Sequence, residues 1–271
     1  MLTNGEQKIF IWVDFSPETE VAVVHGLQIA QILEKEICLI CQIPDHQSKQ
    51  KAEAELLVNR LKTPLISILK STAIHTLITS HPFEKLLTEL AEEYDALLLV
   101  ATKSKRSELL PKLPHSGFPF LFVSENQPNA DSYQNIVVPV SYMKKSKDLA
   151  LWSSYFARHN GAKISLVKAY ASLEEDTRRI NSILISIERL FRNFSFPYKI
   201  IESVTSTWKI QKEALKQAKE LPSGLLIISF TYQSSIFDRL LRIDDTFLID
   251  HAEKLSVMCI NSQRDLYTLC G

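Results

Sequence analysis

The sequence predicts an α/β protein: two tandem open parallel sheets, each of five strands flanked by helices. Three observations predict it. Short apolar runs rich in β-branched residues alternate with longer amphipathic stretches along the chain, the pattern of strands buried on both faces and of the helices that cover them. A shift of about 127 residues lays KIFIWVDFSPETEVAVVHGLQIAQILEKEICLICQI on QNIVVPVSYMKKSKDLALWSSYFARHNGAKISLVKAY without a gap, so that Ile9 falls on Ile136, Val13 on Val140, Ala30 on Ala157 and Ile37 on Ile164. Finally, 271 residues, 45% hydrophobic and 23% charged, give a globular composition with room for two such copies.

In chain order, the first copy is expected to place strands near 8–13, 37–43, 65–69, 96–101 and 119–123, with helices between them. Ser16 is the expected N-cap of the first helix and Pro17 its first helical residue, where a missing N–H costs nothing. Cys38 and Cys41 form a C-x-x-C inside the apolar run ICLICQI; on a strand, positions three apart face opposite ways, so the pair reads as core and not as a metal or redox site. SENQPNADSY, Ser124 to Tyr133, is polar and without periodicity, and divides the chain into domains 1–127 and 132–271. The second copy is expected to place strands near 135–140, 163–169, 198–204, 224–230 and 256–261.

Charge and motifs exclude several classes of function. Lys+Arg and Asp+Glu each total 31, so no global charge draws the chain to nucleic acid or to an anionic membrane. No apolar run approaches the roughly 20 residues of a membrane helix. The opening MLTNGEQKIFIWVDF lacks the features of a signal peptide, and a cytoplasmic location is the expectation. The seven histidines show no metal-ligand spacing, and there is no G-x-S-x-G, P-loop or G-x-G-x-x-G, so neither catalytic residues nor a metal site are predicted. Trp152, Tyr155 and Phe156 recur at helical spacing with no basic stripe beside them, which marks core packing and not base stacking.

Three short motifs go further. The first copy opens with WVDFSPE, Trp12 to Glu18; the second opens with VVPVSYM; and the chain approaches its end with FLIDHAEKLSVMCIN, in which His251 and Ala252 precede an apolar strand. In this order and spacing they resemble the universal stress protein (UspA) family, as two tandem copies covering nearly the whole chain. The resemblance implies an adenine-nucleotide cleft at the carboxyl edge of each sheet, with adenosine contacts from an Asp after strand one and from the end of strand two. It also implies a phosphate loop written G-x-x-G, then about nine residues, then G-S or G-T, because backbone N–H groups must approach phosphate closely at φ values that glycine tolerates.

Both copies depart from that pattern. In the first, Asp14 and Gln42 fall on the adenosine positions, but Ala101 and Ser104 replace the first two glycines. Ala101 to Pro119 spans 18 residues, against 27 for the matching Ser229 to Ser256, so the first phosphate loop is short. In the second copy the length is kept, but Ser141 stands in place of the Asp, Ala169 ends strand two, and Ser229, Tyr232, Arg242 and Ile243 take the glycine and hydroxyl positions. Non-glycine residues in left-handed conformations cost roughly 1–2 kcal/mol each.

Asp14 is therefore a residual ligand contact, a helix cap or simply solvated. The basic runs KSKR (Lys103, Ser104, Lys105, Arg106) and KKSK (Lys144 to Lys147) are side-chain substitutes for an anion nest or solvated faces. The resemblance implies a non-catalytic stress-response or regulatory protein with degenerate ATP-binding motifs and no firm cofactor. Its alternatives are an ATP or AMP binder with weak ATPase activity at an unconventional site, and a protein-interaction scaffold without ligand. It also implies pairing of the two copies through their last strands, Phe120–Val123 with Val257–Ile260, as an intrachain pseudo-dimer that could dimerise further.

Overall fold

The computed structural model describes residues 7–44, 48–68, 73–125, 133–142, 146–222, 224–230 and 245–261. Two compact units divide the chain, Met1–Asp131 and Ser132–Gly271.

The first unit runs β1 (Lys8–Trp12), α1 (Thr19–Leu33), β2 (Glu36–Gln42), α2 (Ser48–Ile68), β3 (Ile74–Thr79), α3 (Phe83–Glu92), β4 (Ala96–Thr102) and β5 (Phe120–Val123). Between β4 and β5 lie a 3-10 turn, a single helical turn α4 (Arg106–Leu109) and a second 3-10 segment (Leu110–His115). Every strand pairing is parallel, in the order β3-β2-β1-β4-β5. The chain starts in the middle of the sheet, builds outward to β3 and then crosses back over β1 to β4. Central β1 and β4 are buried along their whole length, as the apolar runs KIFIW and ALLLVAT require.

The second unit repeats this path with β6 (Asn135–Val140), α5 (Ser146–Asn160), β7 (Lys163–Tyr170), α6 (Glu174–Asn193), β8 (Tyr198–Ser206), α7 (Ile210–Lys219), β9 (Gly224–Ser229), a short helix Asp245–Asp250 and β10 (Ser256–Ile260). Its strands are parallel in the order β8-β7-β6-β9-β10. Trp152, Tyr155 and Phe156 of α5 are buried, with Trp152 edge-on to Tyr155 at 6.1 Å between centroids.

Two expectations are corrected. The run near 65–69 is not a strand: Leu65–Ile68 close helix α2, and the third strand is Ile74–Thr79. Buried Ala54, Val58, Leu61 and Leu65 recur at helical spacing and carry the helix through Pro64 to this end. The edge strand β3 is only half-buried and so lacks the continuous apolar run that marks a central strand. Nor does Ser16 cap the first helix, which begins at Thr19 without a side-chain cap; the Ser16 hydroxyl donates backward to Asp14. Pro17 accordingly sits in the turn before the helix.

The repeat extends to backbone detail. α1 ends on Glu34 in the left-handed region (φ 54°), its N–H donating to the Ala30 carbonyl. About 127 residues on, α5 is followed by Gly161 (φ 63°), whose N–H donates to the Ala157 carbonyl at 3.0 Å.

Candidate functional site

In open parallel sheets the ligand crevice lies outside the carboxyl ends of the strands where the winding reverses. In the first unit that place is between β1 and β4, which pair directly. Asp14 lies two residues past β1, and Lys105 three residues past β4. The two meet: Lys105 Nζ is 2.6 Å from Asp14 Oδ2, with both side chains largely shielded from solvent. Lys105 also lies 3.7 Å from Glu108 Oε2.

The other oxygen of Asp14 is equally engaged. Its Oδ1 accepts the Ser16 N–H at 3.0 Å and lies 2.6 Å from the hydroxyls of Ser16 and Thr19. Thr19 Oγ1 accepts the Asp14 N–H at 3.0 Å and is 2.9 Å from the Asp14 carbonyl oxygen, tying the end of β1 to the start of α1. Burial by itself would raise the Asp14 pKa, but the Lys105 ammonium and the Ser16 and Thr19 donors outweigh it and hold the carboxyl at about 2. On Lys105, burial pulls the other way, yet the Asp14 charge wins and raises its pKa.

Around this pair the KSKR run is tied down. The Ser104 N–H donates to Glu125 Oε1 at 2.6 Å, the Ser104 and Thr102 hydroxyls lie 2.8 Å apart, and the Arg106 guanidinium donates to the Lys103 carbonyl at 3.2 Å. Ala101 is buried inside β4. Gln42 donates to the His81 carbonyl at 2.8 Å. Cys38 and Cys41 are free and buried in β2; burial raises their pKa values to about 12 and about 11, the Asp14 charge adding to the second, so neither thiol is poised for redox or nucleophilic chemistry.

In the second unit the matching corner is built on hydroxyls. The Ser141 N–H donates to Ser146 Oγ at 3.1 Å, and the Ser146 hydroxyl is 3.2 Å from the Ser141 carbonyl oxygen. Ser141 itself is buried. The Ser229 N–H donates to Gln211 Oε1 at 3.1 Å, and Ala169 is buried in β7. Lys144, Tyr232, Arg242 and Ile243 lie outside the described residues.

Sequence reasoning named Asp14 and Lys105 separately and missed Thr19 and Ser16 as partners of Asp14, and Glu125 as the acceptor of the Ser104 N–H. The signal for Thr19 was available: the period of about 127 lays it on Ser146, a second hydroxyl at the same point of the repeat. Among the described residues no three His, Cys, Asp or Glu side chains converge as metal ligands would, and no helix is long and apolar enough to cross a membrane.

The structure aligns over 94% of this chain and 96% of the other with a universal stress protein from Archaeoglobus fulgidus DSM 4304, at 10% identity and a TM-score of 0.65. The chain has the universal stress protein fold. A functionally unknown protein from Pseudomonas aeruginosa PAO1 superposes over 94% of this chain and 92% of its own, at 12% identity and a TM-score of 0.61. A universal stress protein in complex with cAMP covers 48% of this chain and 98% of its own at 19% identity, with a TM-score of 0.38, too low to carry its ligand across. No protein-family model and no curated protein matches the sequence. The universal stress protein fold here is thus held with very little shared sequence, through burial pattern and topology.

Proposed function

We propose that this chain is a universal-stress-protein-like regulatory protein of the tandem form, that it catalyses no reaction, and that its carboxyl-edge clefts are degenerate and take no nucleotide. One observation carries the reading. Asp14, the acidic group best placed to receive a ligand at the switch point, is already engaged by Lys105, Ser16 and Thr19. A nucleotide would have to displace a shielded ion pair to reach it, and the buried Ser141 offers the second cleft no carboxylate at the same place.

In the same reading the apolar end strands β5 and β10 pair within the chain, Phe120–Val123 with Val257–Ile260, removing two edges that invite aggregation; the protein resides in the cytoplasm. Small-angle scattering tests the pairing, since unpaired units would give a longer, two-lobed particle. Sedimentation would show whether the chain dimerises further.

Isothermal titration of the full chain with ATP and with AMP tests the clefts. The expected result is no saturable heat at millimolar nucleotide, together with no ATP turnover. Saturable binding would instead favour an adenine-nucleotide protein. The observation on that side is that Asp14 places a carboxylate just past β1, beside β4, at the edge where such sheets hold ligands. A scaffold without ligand would bind none of a broader panel of small phosphorylated metabolites either.

A further inference from the structure

From the geometry of the first unit we infer that Lys105 is an internal pseudo-ligand, an autoinhibitory latch that closes the β1–β4 crevice by occupying the acceptor a small molecule would need. The inference rests on the reading above, that the wild-type crevice takes no nucleotide.

Three features carry it. The ion pair joins the two strand ends that border the switch point: Asp14 follows β1, Lys105 follows β4, and the two strands are neighbours in the sheet. A ligand in this crevice would contact the same two loops. Next, the partners around Asp14 are those a bound molecule would supply. They are one ammonium at 2.6 Å, hydroxyl donors at 2.6 Å and the Ser16 N–H at 3.0 Å, and of these only the ammonium comes from outside the β1–α1 turn. Withdrawing Lys105 leaves Asp14 Oδ2 as an open acceptor while Ser16 and Thr19 keep Oδ1 in place. Lastly, the loop that carries Lys105 is held in position by other carboxylates. Glu125 receives the Ser104 N–H at 2.6 Å, and Glu84 pairs with Lys112 further along. The lysine is thus delivered to Asp14 by a loop fixed on both sides of it.

A largely shielded carboxylate with one oxygen freed by the loss of Lys105 suits a small neutral molecule bearing adjacent hydroxyl or amino donors, such as a nucleoside diol, since Asp14 would not repel it. Adenosine is therefore the probe. Full-length Lys105→Met, which keeps the apolar stem without the charge, and Lys105→Ala are titrated calorimetrically with adenosine beside the wild type. Both variants are expected to bind one adenosine per chain, about tenfold or more tighter than the wild type. Adding Asp14→Asn to Lys105→Met is expected to abolish the gain. Folded variants that bind no better than a non-binding wild type overturn the latch and leave the proposed function standing. A wild type that binds as tightly as its variants overturns the proposed function itself. Variants that lose their fold, seen by circular dichroism, also overturn the latch, because a pair essential to folding is structural and not a gate.

Discussion

At the end of β1 the Thr19 hydroxyl ties residue 14 to the start of α1, and at the end of β6 the Ser146 hydroxyl ties residue 141 to the start of α5 in the same way. Among the described residues only the first corner carries a carboxylate, and there a lysine reaches across from the loop after β4. The hydroxyl knot is thus the structural constant of the repeat, while charge is the part that varies. Asp14 and Ser141 differ in what they can receive, not in where the backbone places them.

The largest expected effect concerns packing rather than charge. Gly26 of α1 corresponds through the repeat to the buried Ser153, and Ile11 of β1 corresponds to Val138. A Cβ on Gly26 would lie 2.4 Å from Ile11 Cδ1 and 2.5 Å from Ile11 Cγ1. Gly26→Ser is expected to destabilise by about 2–3 kcal/mol through overpacking, and to cost about half or less of that in an Ile11→Ala background, where both clashing atoms are gone. Urea denaturation of the single and double variants checks it. Simple additivity would show that the two units solve this contact independently.

Next comes charge. The Asp14 pKa is depressed from 3.8 to about 2. Its contribution is therefore fully present above about pH 4 and lost as pH falls toward 2, and it is worth up to about 2 kcal/mol at neutral pH. Asp14→Asn keeps an oxygen for the turn but loses the charge that faces Lys105. It should be less stable than the wild type at neutral pH and converge with it near pH 2 in denaturant titrations. A constant difference across that range would mean that Lys105 contributes nothing through Asp14.

A smaller effect tests the shared knot. Thr19→Val and Ser146→Ala should each cost about 1 kcal/mol by removing the hydroxyl that accepts the Asp14 or Ser141 N–H at the end of the preceding strand. The first should cost more, since it also strips a donor from Asp14. Equal losses in thermal melts would place the carboxylate outside the knot.

The smallest effect runs the other way. Glu34 holds a left-handed backbone that its counterpart Gly161 adopts freely. Glu34→Gly is expected to stabilise by about 0.5–1 kcal/mol, raising Tm by a few degrees at most. A loss of stability would mean that the Glu34 side chain makes a contribution of its own.

Legibility followed burial. Central strands such as ALLLVAT and NIVVPV are apolar on both faces and announce themselves, whereas β3 is half-exposed and was displaced in the reading by the apolar end of α2. The period itself held the correction, because a shift of about 127 residues lays Ser206, the end of β8, on Thr79, the end of β3. At the site, Asp14 was visible as an acid after a strand and Lys105 as part of a basic run. That they face each other was not, because the two are 91 positions apart in the chain and meet only when β4 crosses back beside β1.

The sequence alone determined the α/β class, the twofold repeat and the absence of G-x-x-G from both loops, because these depend on periodicity and on residue type. The tertiary structure alone decided what became of Asp14. Whether a carboxylate is open to a ligand or closed by a lysine depends on which distant strands are neighbours, and no local pattern encodes that adjacency.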